Sequence, residues 1–169
     1  MLLILECIIL CIIFTILIIF PSIKKGPLTG IMSYPPAIRK RVEELPQYAD
    51  VIKSVERKHM SKKIVAVFVF AFFLAIVAYL SGAKTFSSVF YHVFILSLAV
   101  NIYDLIVLDI IYFCHSKRSM IPGTEDMIDE YRKPWYHIYG ALIGILIGAV
   151  IAVLSASIVY GYNLIIFAM

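Results

Sequence analysis

Four polar side chains interrupt a mainly apolar stretch of this sequence and are its strongest candidates for chemistry. They are Asn101, Asp104, Asp109 and His115. Amide, carboxyl and imidazole groups can hydrogen-bond a solute, hold a cation or exchange a proton. We therefore predict that these four residues bind a ligand or a proton.

Helical spacing decides which of these side chains can meet. At about 100° per residue, Asn101, Asp104 and His115 fall within a narrow arc, and Asp109 points well away from it. In an α-helix, Asp104 would lie about 16 Å along the axis from His115, and Asp109 about 9 Å from it. The four side chains therefore cannot bind one ion, but they could line a polar track from the cytoplasm towards the middle of a membrane.

A carboxyl group near the middle of a bilayer costs a few kcal/mol on insertion scales. We therefore expect Asp104 to face protein or water rather than lipid. The alternative is structural, with Asn101 and Asp104 hydrogen-bonded to Tyr or Ser on neighbouring helices. Asp109 lies nearer the interface, where basic residues could neutralise it.

A second candidate site lies at the predicted inner interface. His115 ends one apolar segment and His137 begins the next, with Glu125 and Asp126 between them. Two histidines and a carboxylate can bind a metal, but this spacing matches no compact metal motif. We predict no metal ligand, and the sequence identifies no cofactor. Glu125 and Asp126 also fit the first turn of a short helix capped by Thr124.

Membrane-spanning helices must position these residues. The chain has 169 residues, of which 62% are hydrophobic, whereas soluble domains are usually about 45–50% apolar. Runs of about 18 or more apolar residues can cross a ~30 Å hydrocarbon core, and they must do so as helices. We predict one all-α integral membrane domain, residues 1–169, with spans at about 2–20, 64–83, 85–114 and 138–163.

Basic residues predict the orientation of these spans. Of the 15 Lys and Arg residues, all but Lys84 lie in the loops 21–63 and 115–137. Basic loops remain in the cytoplasm, so both termini and the Lys84 turn are predicted to be outside the cell membrane. This orientation and contact with the lipid bilayer account for the net charge of +4, and no nucleic-acid partner is predicted.

The loop 21–63 has amphipathic spacing. Ile38, Val42 and Leu45 share one helical face, and the pattern resumes after Pro46, which predicts two short amphipathic helices. We expect them to lie on the inner leaflet. A cap over the cytoplasmic mouth of the helix bundle is the alternative.

Small residues recur at every fourth position of the last span. Gly140, Gly144 and Gly148 let another helix approach closely. The approaching helix is either span three of the same chain or span four of another copy. The sequence therefore leaves two assemblies open, a homo-oligomer and a complex with a partner membrane subunit. Near the end of this span, residues 161–163 predict a break in the helix.

The segment 101–137 resembles one found in an uncharacterised family of small multi-pass bacterial membrane proteins. The shared pattern is N-x2-D-x4-D-x5-H-S-K-R followed by I-P-G-T-E-D, and it covers about a quarter of the chain. The resemblance does not indicate an activity. It implies that the four candidate residues and the loop 121–126 form one unit.

Three functions remain open from the sequence. The first is binding or transport of protons or a small cationic solute at an intramembrane site open to the cytoplasm. The second is a membrane enzyme that acts on lipids or head groups through His115, His137, Glu125 and Asp126. The third is an accessory subunit of a membrane complex that packs through its glycine face.

Overall fold

The computed structural model describes residues 2–168, and their side chains except those of residues 25, 49–51, 53–54, 56–60 and 167–168. This part of the chain is helical, without strands. The α-helices are α1 (Leu2–Lys25), α2 (Pro36–Glu44), α3 (Ala49–Leu80), α4 (Phe86–Tyr103), α5 (Ile128–Tyr131) and α6 (Pro134–Ala168). A π-helical segment, Asp104–Phe113, continues α4, and 3-10 turns cover Pro27–Ser33, Lys117–Ser119 and Glu125–Met127.

Four of the helical stretches are long and apolar enough to cross a membrane. They are Leu2–Lys24, Ser61–Leu80, Phe86–Phe113 and Pro134–Ile166. The predicted all-helical class with four apolar helices is therefore confirmed.

Two details of the prediction were wrong. The second short amphipathic helix is not separate, because α3 begins at Ala49 and runs on into the apolar stretch. Residues 161–163 do not break the last helix, because Gly161 lies inside the continuous α6.

Helix α4 lies at the centre of the bundle and packs against α1, α3 and α6. The buried core between these helices consists of aliphatic and small side chains, among them Leu74, Val93, Leu96, Ala152 and Ala156. Many large apolar side chains face outward instead, as expected for helices that contact lipid.

The glycines of α6 differ in what they contact. A Cβ atom at Gly148 would lie 3.0 Å from the Cβ of Ser97, and one at Gly144 would collide with the side chain of Asn101. A Cβ atom at Gly140 would meet nothing within 4 Å. Two of the three glycines thus allow α6 to approach α4 of the same chain, and assembly with a second copy stays a prediction.

The two basic loops fold together into a second small core, which we call the cap. Its buried side chains are Ile31, Tyr34, Ile38, Val42, Ile52, Ile121 and Tyr131. The Tyr34 hydroxyl donates a hydrogen bond of 2.8 Å to the Ser119 carbonyl, which ties the first loop to the second. Because Ile38 and Val42 are covered by protein, the apolar face of α2 does not make the expected contact with the inner leaflet.

Candidate functional site

The π-helical segment changes the direction in which Asp109 points. Its winding is visible at its end, where the Cys114 amide donates to the carbonyl of Asp109, five residues earlier, at 3.0 Å. Hydrogen bonds over five residues put more residues into each turn than in an α-helix, so side chains five apart point in more similar directions than they would there. In an α-helix, residues 104 and 109 would point roughly 140° apart. The expectation that Asp109 faces away from Asp104 was therefore wrong, because it assumed α-helical winding throughout.

Asp104 and Asp109 line the same cavity of about 430 Å³, which we call the polar cavity. It lies between the third and fourth long helices, in the halves that are nearer the cap. Its polar lining also includes Asn101, Lys63, Tyr136 and His137. Lys63 is exposed to solvent, so its ammonium group is not confined to the cavity.

His137 brings an imidazole to this carboxylate pair. Its Nδ1 lies 3.2 Å from Asp109 Oδ1, and its side chain is only 4% exposed. Its Nε2 is buried and has no hydrogen-bond partner among the described residues. The Phe113 ring contacts the imidazole edge-on, with centroids 5.0 Å apart. These contacts hold the imidazole with Nδ1 at the Asp109 carboxylate, and Nε2 has no hydrogen-bond partner among the described residues.

Asn101 is held by the opposite helix. Its Nδ2 donates a hydrogen bond of 3.0 Å to the carbonyl of Ala141 in α6. Asp104, one turn further along, has no cation within ion-pair distance among the described side chains. Asn101 and Asp104 therefore lie next to each other, and of the two only Asn101 is hydrogen-bonded to a neighbouring helix.

A second cavity of about 260 Å³, the apolar cavity, lies further into the bundle. It shares Asn101, Asp104, Gly144 and Ile147 with the polar cavity. The rest of its lining is apolar except for Ser97, and it comes from all four long helices. A third cavity of about 340 Å³ on the side of α1 also includes Asp104 and Asp109, together with Tyr34 and Ser119 of the cap. Asp104 therefore lies where three cavities meet.

The remaining predicted site residues lie apart from this cluster. His115 is exposed, and its Nδ1 lies 2.9 Å from the Ile110 carbonyl. Both carboxylate oxygens of Glu125 accept hydrogen bonds from the Gly123 amide, at 3.0 and 2.9 Å, which lowers the pKa of Glu125. Asp126 lies 3.5 Å from Arg41 and is largely exposed.

One predicted grouping is therefore not formed. His115 does not join Asn101, Asp104 and Asp109, and His137 takes its place in the polar cavity. The loop 121–126 belongs to the cap, where Ile121 and Thr124 are fully buried. Among the described side chains, no group of three His, Cys, Asp or Glu residues is arranged to hold a metal ion.

Sequence reasoning missed a polar cluster at the other end of the bundle. His92 Nε2 lies 2.8 Å from Glu6 Oε2, and the two side chains are 15% and 12% exposed. The Ser81 hydroxyl also donates to Glu6. Neither Glu6 nor His92 is among the site residues predicted from the sequence. The available signal was that the two lie at similar depths in the first and third apolar segments.

Comparison with known proteins gave no matching family model, no similar curated protein and no similar solved structure. The function is therefore argued from the cavities and the side chains that line them.

Proposed function

We propose that this chain is a multi-pass membrane protein that binds and transports protons or a small cationic solute at a site within the bilayer. The observation that carries the proposal is the polar cavity in which Asp104, Asp109 and His137 meet. Ionisable side chains at membrane depth are costly, and they usually mark ion or proton pathways. The three groups are near one another, so a proton or cation could pass between them.

The proposed orientation places the cap in the cytoplasm. Both basic loops contribute to the cap core, which supports their lying on the same side of the membrane. The positive-inside rule then puts the cap inside and the Lys84 turn outside. A cysteine at Lys84 should react with an impermeant maleimide in intact cells, and one at Lys117 should not. The reverse labelling pattern would refute this orientation.

The polar cavity is proposed to open towards the cap. His137 lies in the first turn of α6, next to Phe113, which packs against the cap core. Exposed Lys63 is also part of the lining. A proton or solute that enters from the cap would pass Asp109 and His137 before it reaches Asp104. The predicted route is kept in this proposal, with His137 in place of His115.

The enzyme hypothesis has less support. It needs His115, His137, Glu125 and Asp126 to act together, but only His137 lines the polar cavity. The subunit hypothesis rests on the glycine face of α6, and two of its three glycines contact α4 of the same chain.

Proton flux through purified protein in liposomes would test the proposed transport. A pH-sensitive dye inside the vesicles reports proton entry driven by a potassium diffusion potential. Asp104→Asn keeps the size of the side chain and removes its ability to exchange a proton, so it should reduce flux to that of empty vesicles. Asp129→Asn, a change at an exposed cap residue, is the matched control and should leave flux unchanged.

Two results would contradict the proposal. If Asp104→Asn moved protons and small cations such as methylammonium as fast as the wild type, Asp104 would be a structural residue. If neither wild type nor variant exceeded empty vesicles and neither bound a cation, the transport and binding functions would both be excluded. Circular dichroism and size-exclusion chromatography of each variant would show that the fold is retained.

A further inference from the structure

The apolar cavity has no role in the transport of a hydrated ion. Its lining contains aliphatic and aromatic side chains such as Leu10, Phe14, Phe70 and Leu96. A hydrated cation would lose water there without gaining polar partners, which is strongly unfavourable. An apolar group, in contrast, fits this lining at little cost.

The two cavities meet at the most polar point of the apolar one. Asn101 and Asp104 line both, so a molecule in the apolar cavity would have one end beside the Asp104 carboxyl group. Asp109, the other carboxylate of the polar cavity, already faces His137 at 3.2 Å. Asp104 has no ion-pair partner among the described side chains. A ligand with a single positive charge would therefore complement the Asp104 carboxyl group.

We infer that the site takes an amphiphile with one cationic head, such as an amine or quaternary ammonium, and a compact apolar tail. This inference rests on the proposed function, and it replaces the small hydrophilic solute with a lipophilic cation. The head would lie in the polar cavity at Asp104, and the tail would fill the apolar cavity between α1, α3, α4 and α6. Cavities of about 260 and 430 Å³ together match the ~300–1,000 Å³ range of small-molecule sites.

Binding of radiolabelled decyltrimethylammonium to the protein in lipid nanodiscs tests the inference, with empty nanodiscs as background. Decanoate has a similar tail with a negative head, and tetramethylammonium has the head without the tail. We expect saturable binding of decyltrimethylammonium, about tenfold or more tighter than of either comparison compound. Asp104→Asn should weaken it by a similar factor.

A second variant tests where the tail lies. Val100 lines the apolar cavity and not the polar one, so Val100→Phe should fill part of the tail site and weaken binding of decyltrimethylammonium. Leu146→Phe is the matched control, because Leu146 is 68% exposed on the outer surface of α6. It should bind as the wild type does. If Val100→Phe fails to fold, shortening the tail from decyl to butyl makes the same test on the wild-type protein.

Different results would contradict the proposed function and the amphiphile inference. Proton flux that depends on Asp104, without saturable binding of decyltrimethylammonium, would overturn the amphiphile inference and leave the proposed function intact. Equal binding of decanoate would also overturn it, because the head would then not be selected by charge. Saturable binding that depends on Asp104 and Val100, without any flux, would support the amphiphile site and exclude transport of protons.

Discussion

Asp109 and His137 connect the π-helical segment to α6, with Oδ1 of the carboxylate 3.2 Å from Nδ1 of the imidazole. A carboxylate at Nδ1 favours the tautomer that carries its proton there, which leaves Nε2 with a lone pair. This Nε2 is buried and has no hydrogen-bond partner among the described residues. The pair thus presents an oriented proton acceptor beside the polar cavity.

The contact between Asp109 and His137 should appear as an energetic coupling. Asp109→Asn and His137→Gln should each destabilise the protein, and the double variant should be less destabilised than the sum of the two. We expect a coupling of about 0.5–3 kcal/mol, the range for residues in direct contact. Thermal unfolding in detergent would measure it.

The control for this cycle is a pair of exposed residues that form no ion pair with each other. His115→Gln and Asp129→Asn should have additive effects. Additive effects for Asp109 and His137 as well would show that their proximity contributes nothing to stability.

Alanine at two glycines of α6 should have opposite effects. In Gly144→Ala, the new Cβ displaces the Asn101 side chain and breaks its hydrogen bond to the Ala141 carbonyl, which costs about 1–3 kcal/mol. Gly140→Ala meets no neighbour and should stabilise the helix by up to about 1 kcal/mol. The midpoint of thermal unfolding should therefore fall for the first variant and rise slightly for the second.

A double variant tests whether the collision with Asn101 causes the loss of stability in Gly144→Ala. Combining Gly144→Ala with Asn101→Ala removes the colliding side chain, so the added cost of the alanine at 144 should largely disappear. If Gly144→Ala were as well tolerated as Gly140→Ala, the close approach of α6 to Asn101 would be refuted.

The sequence predicted the long helices well and the site only in part. Apolar runs long enough to cross a bilayer leave few alternatives to helices, and the predicted segment 85–114 matches Phe86–Phe113 closely. The direction of Asp109 depends on a change to π-helical winding, and no residue pattern in the segment marks that change. His115 lies in the turn after this segment, and the histidine of the polar cavity is His137 of α6.

The cap could be predicted less well, for a different reason. The spacing of Ile38 and Val42 identifies an apolar face, but it does not tell whether lipid or protein covers that face. The answer depends on Ile121 and Tyr131, which come from a loop about 80 residues later. Contacts over such a separation leave no trace in local periodicity.

Tyr34 should make the cap sensitive to alkali. Burial, followed by the nearby Tyr131 and Tyr112, raises the pKa of the Tyr34 phenol above its usual range. A raised pKa in the folded state stabilises the fold at pH values below the unfolded pKa of about 10, and this contribution is lost as the pH rises above it. Wild-type stability should therefore decline above about pH 10.

Tyr34→Phe tests this contribution. At neutral pH it should cost about 1 kcal/mol, because the Ser119 carbonyl loses its hydrogen bond. Above pH 10 the difference from the wild type should shrink, because the wild type loses what the variant already lacks. Tyr91→Phe, at a site 63% exposed, should follow the wild type throughout. A constant difference at all pH values would mean that the Tyr34 phenol does not ionise on unfolding.

Cysteine scanning should reveal the π-helical winding directly. In a variant without native cysteines, single cysteines at positions 103–111 would be modified from the side of the cap by a small charged thiol reagent. Because Asp104 and Asp109 line one cavity, we expect maximal rates five residues apart, at 104 and 109. Leu108 is 4% exposed and should react more slowly than either position. Fast reaction at 104 with slow reaction at 109 would show that the segment is α-helical and that the two carboxyl groups do not share a cavity.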